Sequence, residues 1–316
     1  MNLITWLLII TAGLIVTVAI SLLLEMLRRA PQTPGSLYWS KDIPIHYHTL
    51  NGMRIRYIKT GQGPALVLLH TLQTQLDIFE KIIPELSRDF TVYALDYPGH
   101  GFSDIPDCDY APDLFISTVE KFLDELNIEN ATLAGISIGG SIALLVVARH
   151  HPRVKNVISI NPYDYGDGLG AGRGNIVAWL IFNVSRIPVL GETFMRFRIP
   201  LIEKIIFQGG VAYPEALTAG FLQQVWDSGV RKGHYRGFIN LIRHAHEWES
   251  ARRDYKNINV PVLLVYGDRD WSYENERQKT FEDIPGATLT TVSNGGHFLS
   301  LDQPAELIKL ITNHTK

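Results

Sequence analysis

The chain has 316 residues, 46% of them hydrophobic, enough for one large α/β domain with an insertion or for two small domains. A net charge of −3 and the lack of any long run of Lys and Arg argue against a nucleic-acid partner. Cys108 is the only cysteine, which excludes an intramolecular disulfide and a cysteine-rich zinc site, and its acidic loop (Asp104 to Asp109) disfavours a reactive thiolate.

The first 24 residues contain no charged side chain. Residues 4–24 are long enough, at ~1.5 Å per residue, to cross a ~30 Å hydrocarbon layer as a helix. A cleaved signal peptide is expected to open on Lys or Arg and to have a shorter apolar stretch, and this one begins Met-Asn-Leu-Ile-Thr. We therefore read residues 1–27 as an uncleaved membrane anchor and residues 28–43 as a linker. Arg28 and Arg29 follow the span, so the positive-inside rule places the rest of the chain on the cytoplasmic side.

From residue 44 onward, short β-rich runs alternate with helical patterns. Ile45 to Leu50 and Arg54 to Lys59 flank Asn51-Gly52, a two-residue hairpin signal. Ala65 to Leu69, Thr91 to Leu95, Ala131 to Ala134, Val154 to Ile160 and Val260 to Tyr266 read as strands buried on both faces. Helical candidates are Leu76 to Leu86, Pro112 to Leu126, Gly139 to His150 and Pro304 to Thr312. This alternation predicts an α/β fold with a mostly parallel sheet flanked by helices. Residues 165–249 break it: no strand pattern is present, only amphipathic or apolar stretches interrupted at Pro188, Pro200 and Pro214. So long an insertion cannot be a structureless loop inside a compact domain, and it is expected to form a helical cap between two core segments, 44–164 and 250–316.

The sharpest chemical signal is Gly135-Ile136-Ser137-Ile138-Gly139-Gly140, between a predicted strand and a predicted helix. Small residues two before and two after the serine allow a tight turn that exposes its hydroxyl, and the helix N-terminus beside it favours developing negative charge. A serine hydroxyl needs a base and the base a carboxylate. Downstream, a buried strand ends in Gly267-Asp268-Arg269-Asp270, and Asn294-Gly295-Gly296-His297 forms a glycine-flanked loop before the last helix. Ser137 as nucleophile, His297 as proton carrier and Asp270 as its orienting acid stand in the chain order that strand-end triads of this kind show.

Over residues 44–316 the chain resembles the α/β-hydrolase superfamily. The elbow carries the resemblance, with Asp96-Tyr97-Pro98-Gly99-His100-Gly101-Phe102-Ser103 after the fourth strand, Gly267-Asp268-Arg269-Asp270, and Gly296-His297 with Asp302-Gln303-Pro304. It implies an α/β-hydrolase fold and a serine hydrolase acting through a Ser137 acyl-enzyme. Some members take the acid from the loop after the sixth strand, which leaves Asp164 as an alternative, and Asp268 as a further one. The oxyanion hole is expected from the Ile138 N–H and, from the loop after the third strand, the Leu72 N–H. There the family's usual His-Gly is His70-Thr71. Gln73 and Tyr163 are expected at the substrate pocket, and Asp96 and His100 are expected to brace their turn.

His46 and His48, like His244 and His246, lack further ligands at matching spacing, so no metal and no cofactor is expected. The expected partners are a small hydrophobic ester or acyl compound and, through residues 4–24, a membrane. The same triad also serves carbon–carbon bond hydrolases, perhydrolases and acyltransferases, and the fold occurs without catalysis, so these readings stay open. An aspartate at the elbow would point to epoxide or haloalkane hydrolysis; this chain has Ser137.

Overall fold

The computed structural model describes residues 2–28 and 33–315. Arg29, half of the charge pair behind the expected orientation, and Ala30 to Gln32 of the expected linker lie outside them. Residues 33–43 have no regular secondary structure, but they are held to the core by buried Leu37 and Ile43 and by the Trp39 indole, which donates to Asp77 (2.7 Å).

Eight strands form one sheet: β1 (Ile45–Leu50), β2 (Met53–Thr60), β3 (Ala65–Leu69), β4 (Thr91–Leu95), β5 (Ala131–Ile136), β6 (Val154–Ile160), β7 (Val262–Gly267) and β8 (Thr288–Val292). Their spatial order is β1-β2-β4-β3-β5-β6-β7-β8. The hairpin β1-β2 and the pair β2-β4 are antiparallel and the remaining pairs parallel. Strands β5 and β7 are buried at every residue, and β3, β4 and β6 at all but one, as expected for strands covered by helices on both faces.

The helices are α1 (Leu3–Leu27), α2 (Ile83–Leu86), α3 (Pro112–Glu125), α4 (Ile138–Ala148), α5 (Ile176–Ser185), α6 (Leu190–Arg196), α7 (Pro200–Gln208), α8 (Ala219–Gly229), α9 (Tyr235–Arg243), α10 (Ala245–Ser250), α11 (Glu274–Asp283), α12 (Leu299–Asp302) and α13 (Pro304–Thr315). Helix α1, with 25 residues, is about 37 Å long at 1.5 Å per residue. It is long and apolar enough to cross a membrane, and most of its surface is exposed. Helices α5 to α10, with short 3-10 turns, lie in the interval between β6 and β7, and that interval contains no strand.

The structure departs from the expected elements in three places. The helix expected over Leu76 to Leu86 is split into a 3-10 turn, Leu76–Phe79, and the short α2. Pro84 sits in the first turn of α2, where its missing N–H costs nothing; in one continuous helix it would clash with the preceding turn. Strand β8, Thr-Leu-Thr-Thr-Val, is an edge strand buried only at Val292 and so lacks an apolar run. Helix α11 is polar on nearly all sides and buries only Thr280, leaving no periodicity to read.

Under the sheet's end lies a buried ion cluster. Arg56, wholly buried, donates through Nη1 to Asp77 Oδ2 and Asp96 Oδ2, both at 3.2 Å. Asp96 also accepts from the Leu76 and Phe102 N–H groups at 2.8 Å each, so it braces the turn after β4. His100 in the same turn bonds Pro98 O (3.1 Å), and burial lowers its pKa. Removing the cation would leave two uncompensated buried carboxylates. Arg56→Met is therefore expected to lower unfolding stability by about 3–5 kcal/mol. Denaturant melts of the full chain followed by tryptophan fluorescence check this, and a loss below about 1 kcal/mol would contradict it.

Candidate active site

Ser137 closes the turn from β5 into α4 with φ 57° and ψ −120°, a region that costs a non-glycine residue about 1–3 kcal/mol. The turn is held by absent side chains. A Cβ on Gly135 would lie 2.1 Å from the Gly139 carbonyl oxygen, and one on Gly139 would lie 2.1 Å from the Leu69 carbonyl oxygen. The second contact presses the start of α4 against the end of β3. The loop His70 to Gln73 thus lies beside Ser137, and Thr71, Leu72, Gln73 and Ser137 line one cavity of about 110 Å³. Ser137 is only 2% exposed, so its hydroxyl belongs to this cavity rather than to the outer surface.

The chain at the end of β6 ties the strand ends together. The Ser137 N–H donates to Ile160 O (2.8 Å), and the Tyr163 N–H donates to Ser137 O (3.2 Å). Between them, Asn161 accepts from the Gly267 N–H at the end of β7 (2.9 Å) and donates to His297 O (2.9 Å) and Gly296 O (3.2 Å). One amide side chain thereby joins the end of β7 to the histidine loop, next to the backbone bonds that hold the serine turn. Its backbone is left-handed (φ 46°), a conformation that asparagine tolerates better than most residues.

His297 Nδ1 donates to Asp270 Oδ1 at 2.5 Å, and both side chains are buried. Burial alone would raise the Asp270 pKa, but the facing His297 and hydrogen bonds from the Ser272 N–H (2.9 Å) and hydroxyl more than offset it and hold the carboxyl below its usual range. The indole of Trp271 stacks on the imidazole, ring centres 3.8 Å apart and planes 18° from parallel. Trp271 and Phe298 both line the Ser137 cavity, so residues on either side of the Asp270–His297 pair reach it. His297 Nε2 has no hydrogen-bond partner among the described residues.

The other two carboxylates point elsewhere. Asp268 accepts from the Gly295 N–H (3.1 Å). Asp164 accepts from the Thr280 hydroxyl (3.2 and 3.3 Å), and no hydrogen bond joins it to His297. The alternative acid is therefore engaged with α11. Burial pushes the Asp164 pKa up to about 7, against the opposing pull of Arg252 and Thr280.

Of the expected oxyanion donors, Ile138 occupies the first position of α4, where an N–H has no intrahelical acceptor. The Leu72 N–H likewise has no acceptor among the described residues. His70, in the loop that holds Leu72, is fixed as a neutral tautomer: its Nε2 accepts from the Tyr97 N–H (3.1 Å), so Nδ1 donates to Thr71 O (2.7 Å). Burial keeps its pKa low. Gln73 lines the cavity with φ 59° and accepts from Arg198 Nη2 (3.3 Å). Tyr163 also lines it, and its hydroxyl donates to Gly168 O.

Asn161, Trp271, Arg198, Glu203 and His234 contribute to the site without having been singled out from the sequence. Arg198 Nη2 also donates to His234 Nδ1 (3.0 Å), and Nη1 lies 3.5 Å from Glu203. Burial first, then Arg198, keeps the His234 pKa low, consistent with a neutral acceptor. The rest of the wall is apolar, supplied mainly by α5 to α7. Cys108 is exposed; burial of its thiol, then Asp109 and Asp107, raises its pKa. One histidine of each remaining pair is engaged with carboxylates: His48 bonds Glu125 (2.8 Å), and His244 bonds Glu247 (2.6 Å) and Asp109 (2.5 Å).

Comparison with known proteins agrees with this fold. The family described as alpha/beta hydrolase fold matches residues 64–304. Carboxylesterase YbfK of Bacillus subtilis is 26% identical over 286 residues, covering 84% of this chain and 86% of the relative. Among solved structures, Cfl2 of Burkholderia cenocepacia superposes with a TM-score of 0.78 at 20% identity, over 91% of this chain and 100% of the other. Haloalkane dehalogenase DbeA of Bradyrhizobium elkani gives 0.76 at 19% identity, over 87% and 98%. The match across most of the chain, on a sheet whose strand ends converge at Ser137, makes this protein a member of the alpha/beta hydrolase fold family.

Proposed function

We propose that the chain is a serine hydrolase that cleaves a carboxylic ester or related acyl compound, with α1 as a membrane anchor and the catalytic part on the cytoplasmic side. The observation that carries the chemistry is the Nδ1–Asp270 bond of His297, which leaves Nε2 unpartnered beside a cavity walled by a strained serine. In the proposed reaction the Ser137 oxygen attacks the acyl carbon and its proton passes to His297 Nε2. The Ile138 and Leu72 N–H groups take the charge that develops on the carbonyl oxygen. Collapse breaks the bond to the alcohol, which leaves with the proton from His297. Water, deprotonated by the same imidazole, then releases the acid and restores Ser137. Asp270 stays ionised and stabilises the imidazolium. The carboxylesterase activity of a relative and the apolar wall under α5 to α7 support an ester with a hydrophobic acyl group.

A fluorophosphonate probe tests the nucleophile: wild type is labelled, and Ser137→Ala and His297→Ala are not. Labelling of Ser137→Ala equal to wild type would remove the proposal. For the acid, Asp270→Asn is expected to lower kcat about 10⁴-fold, as loss of a triad orienter does. Asp164→Asn should stay within about tenfold of wild type; the reverse ranking would exchange the two roles.

Asp164 also makes a thermodynamic prediction. Its folded pKa of about 7 stands above the ~3.9 of an unfolded aspartate, so the folded chain binds this proton more tightly. Its contribution to stability is greatest below the unfolded value and is lost as pH rises from about 4 to about 7. Tm measured against pH should show this decline in wild type and a flatter course in Asp164→Asn. Equal slopes would contradict the proton assignment.

A further inference from the structure

Outside α1, the large apolar side chains that remain exposed are concentrated in one stretch. Ile176, Trp179, Leu180, Ile187, Val189, Leu190, Ile199 and Leu201 all fall within 26 residues of α5 to α7 and their connections. The rest of the described chain beyond α1 adds only Tyr38, Tyr213, Tyr273 and Leu289, three of which end in a hydroxyl. A soluble surface normally scatters such residues, whereas a contiguous patch marks an interaction site.

The last turns of α1 indicate what covers it. Val18, Ser21, Glu25 and Arg28 are spaced as one helical face, and that face is turned inward, with Ser21 and Glu25 buried. The polar atoms of this face are satisfied by protein: Glu25 accepts from the Gly233 N–H (2.6 Å) and pairs with Arg28 (2.9 Å), while Arg28 Nη2 donates to Arg196 O (2.6 Å) at the end of α6. The outward side stays apolar to the end, with Leu22, Leu23, Leu24, Met26 and Leu27 exposed. From Val18 to Leu27 the helix rises about 13 Å. Any hydrocarbon layer surrounding the end of α1 therefore also reaches α6 and the apolar residues flanking it. Ile199 belongs both to this exposed face and to the wall of the Ser137 cavity.

We infer that the face from Ile176 to Leu201 is embedded in the lipid leaflet that surrounds the end of α1, and that an acyl substrate enters the cavity from that leaflet past Ile199. The embedded face rests on reading α1 as an anchor, and the entry route rests on the esterase reading. Arg186 and Lys204 are exposed within and just beyond this stretch and would meet lipid headgroups.

The test uses the full chain with Cys108→Ser, reconstituted in phosphatidylcholine vesicles, with an environment-sensitive fluorophore on one introduced cysteine at a time. Leu14→Cys reports on the anchor, Trp179→Cys and Leu201→Cys on the face, and Leu289→Cys on bulk water. Shielding of positions 14, 179 and 201 from aqueous iodide, with position 289 quenched, supports the inference. If 14 is shielded while 179 and 201 quench like 289, the embedded face is overturned and the anchor stands. If 14 is also quenched, the anchor reading falls as well. Shielding of 179 and 201 that grows with the protein-to-lipid ratio means that a second copy covers the face, which also overturns the inference. This arm needs no turnover, so a chain without esterase activity defeats the previous section's proposal and leaves the embedded face to be decided. The entry route is read from the double variant Trp179→Glu with Leu201→Glu. Turnover of an ester held in the vesicles should fall about tenfold or more. Turnover of a soluble short-chain ester should stay within about twofold, as for surface substitutions. Equal effects on both esters would overturn the route.

Discussion

The architecture of the site depends on one close approach, where the backbone at Gly139 meets the Leu69 carbonyl with no room for a Cβ. A parallel sheet brings the ends of its strands to one edge, but side chains normally keep a following helix from touching a neighbouring strand's end. Removing them at Gly135 and Gly139 lets α4 start against β3, forces Ser137 into a left-handed backbone, and puts a fresh helix terminus beside the loop that holds Leu72. The strain at Ser137 is sustained because the turn is fixed on both sides, by Ile160 O and by the Tyr163 N–H.

Two buried carboxylates at this edge illustrate how surroundings rather than residue type set the charge state. Asp270 faces an imidazole and a Ser272 hydroxyl and stays ionised; Asp164, a few residues beyond β6, faces Thr280 among buried tyrosines and holds its proton up to about neutral pH. A carboxyl that stabilises an imidazolium must be an anion, and the surroundings of Asp270 favour that state while those of Asp164 oppose it. Asp164 instead helps join α11 to the loop after β6 through the Thr280 hydroxyl. Asn161 gives the assembly its rigidity, because one planar amide makes bonds to β7 and to the histidine loop together.

The parts of the fold legible in the sequence are those where one force dominates. Strands buried on both faces announce themselves as apolar runs, and the Ser137 turn announces itself because steric demand leaves small residues at fixed offsets. Edge strand β8 and polar helix α11 carry no such mark, since exposed surface tolerates many side chains. At the site, Ser137, Asp270 and His297 stand out by residue type and order, and Leu72 and Gln73 by their place after β3. Arg198 and Glu203 were hidden because they come from a helical stretch whose packing no local pattern dictates. Trp271 reads as one more aromatic beside the acid until the stack on His297 is seen. The split at Pro84 was readable in principle, because proline's missing N–H marks a helix start, but the apolar spacing on either side of it suggested continuity.

Trp271 also has a thermodynamic consequence. Its ring lies flat on the imidazole while its N–H donates to Gly209 O (2.7 Å), immediately after α7. The His297 ring is thus held on one face by an indole tied to the end of α7, and α7 cannot lift away without releasing that contact. A molecule that fills the cavity and holds α7 down therefore also holds the imidazole still, so part of its adhesion is converted into ordering of that ring. By reciprocity, whatever favours the stacked imidazole tightens the grip on the occupant.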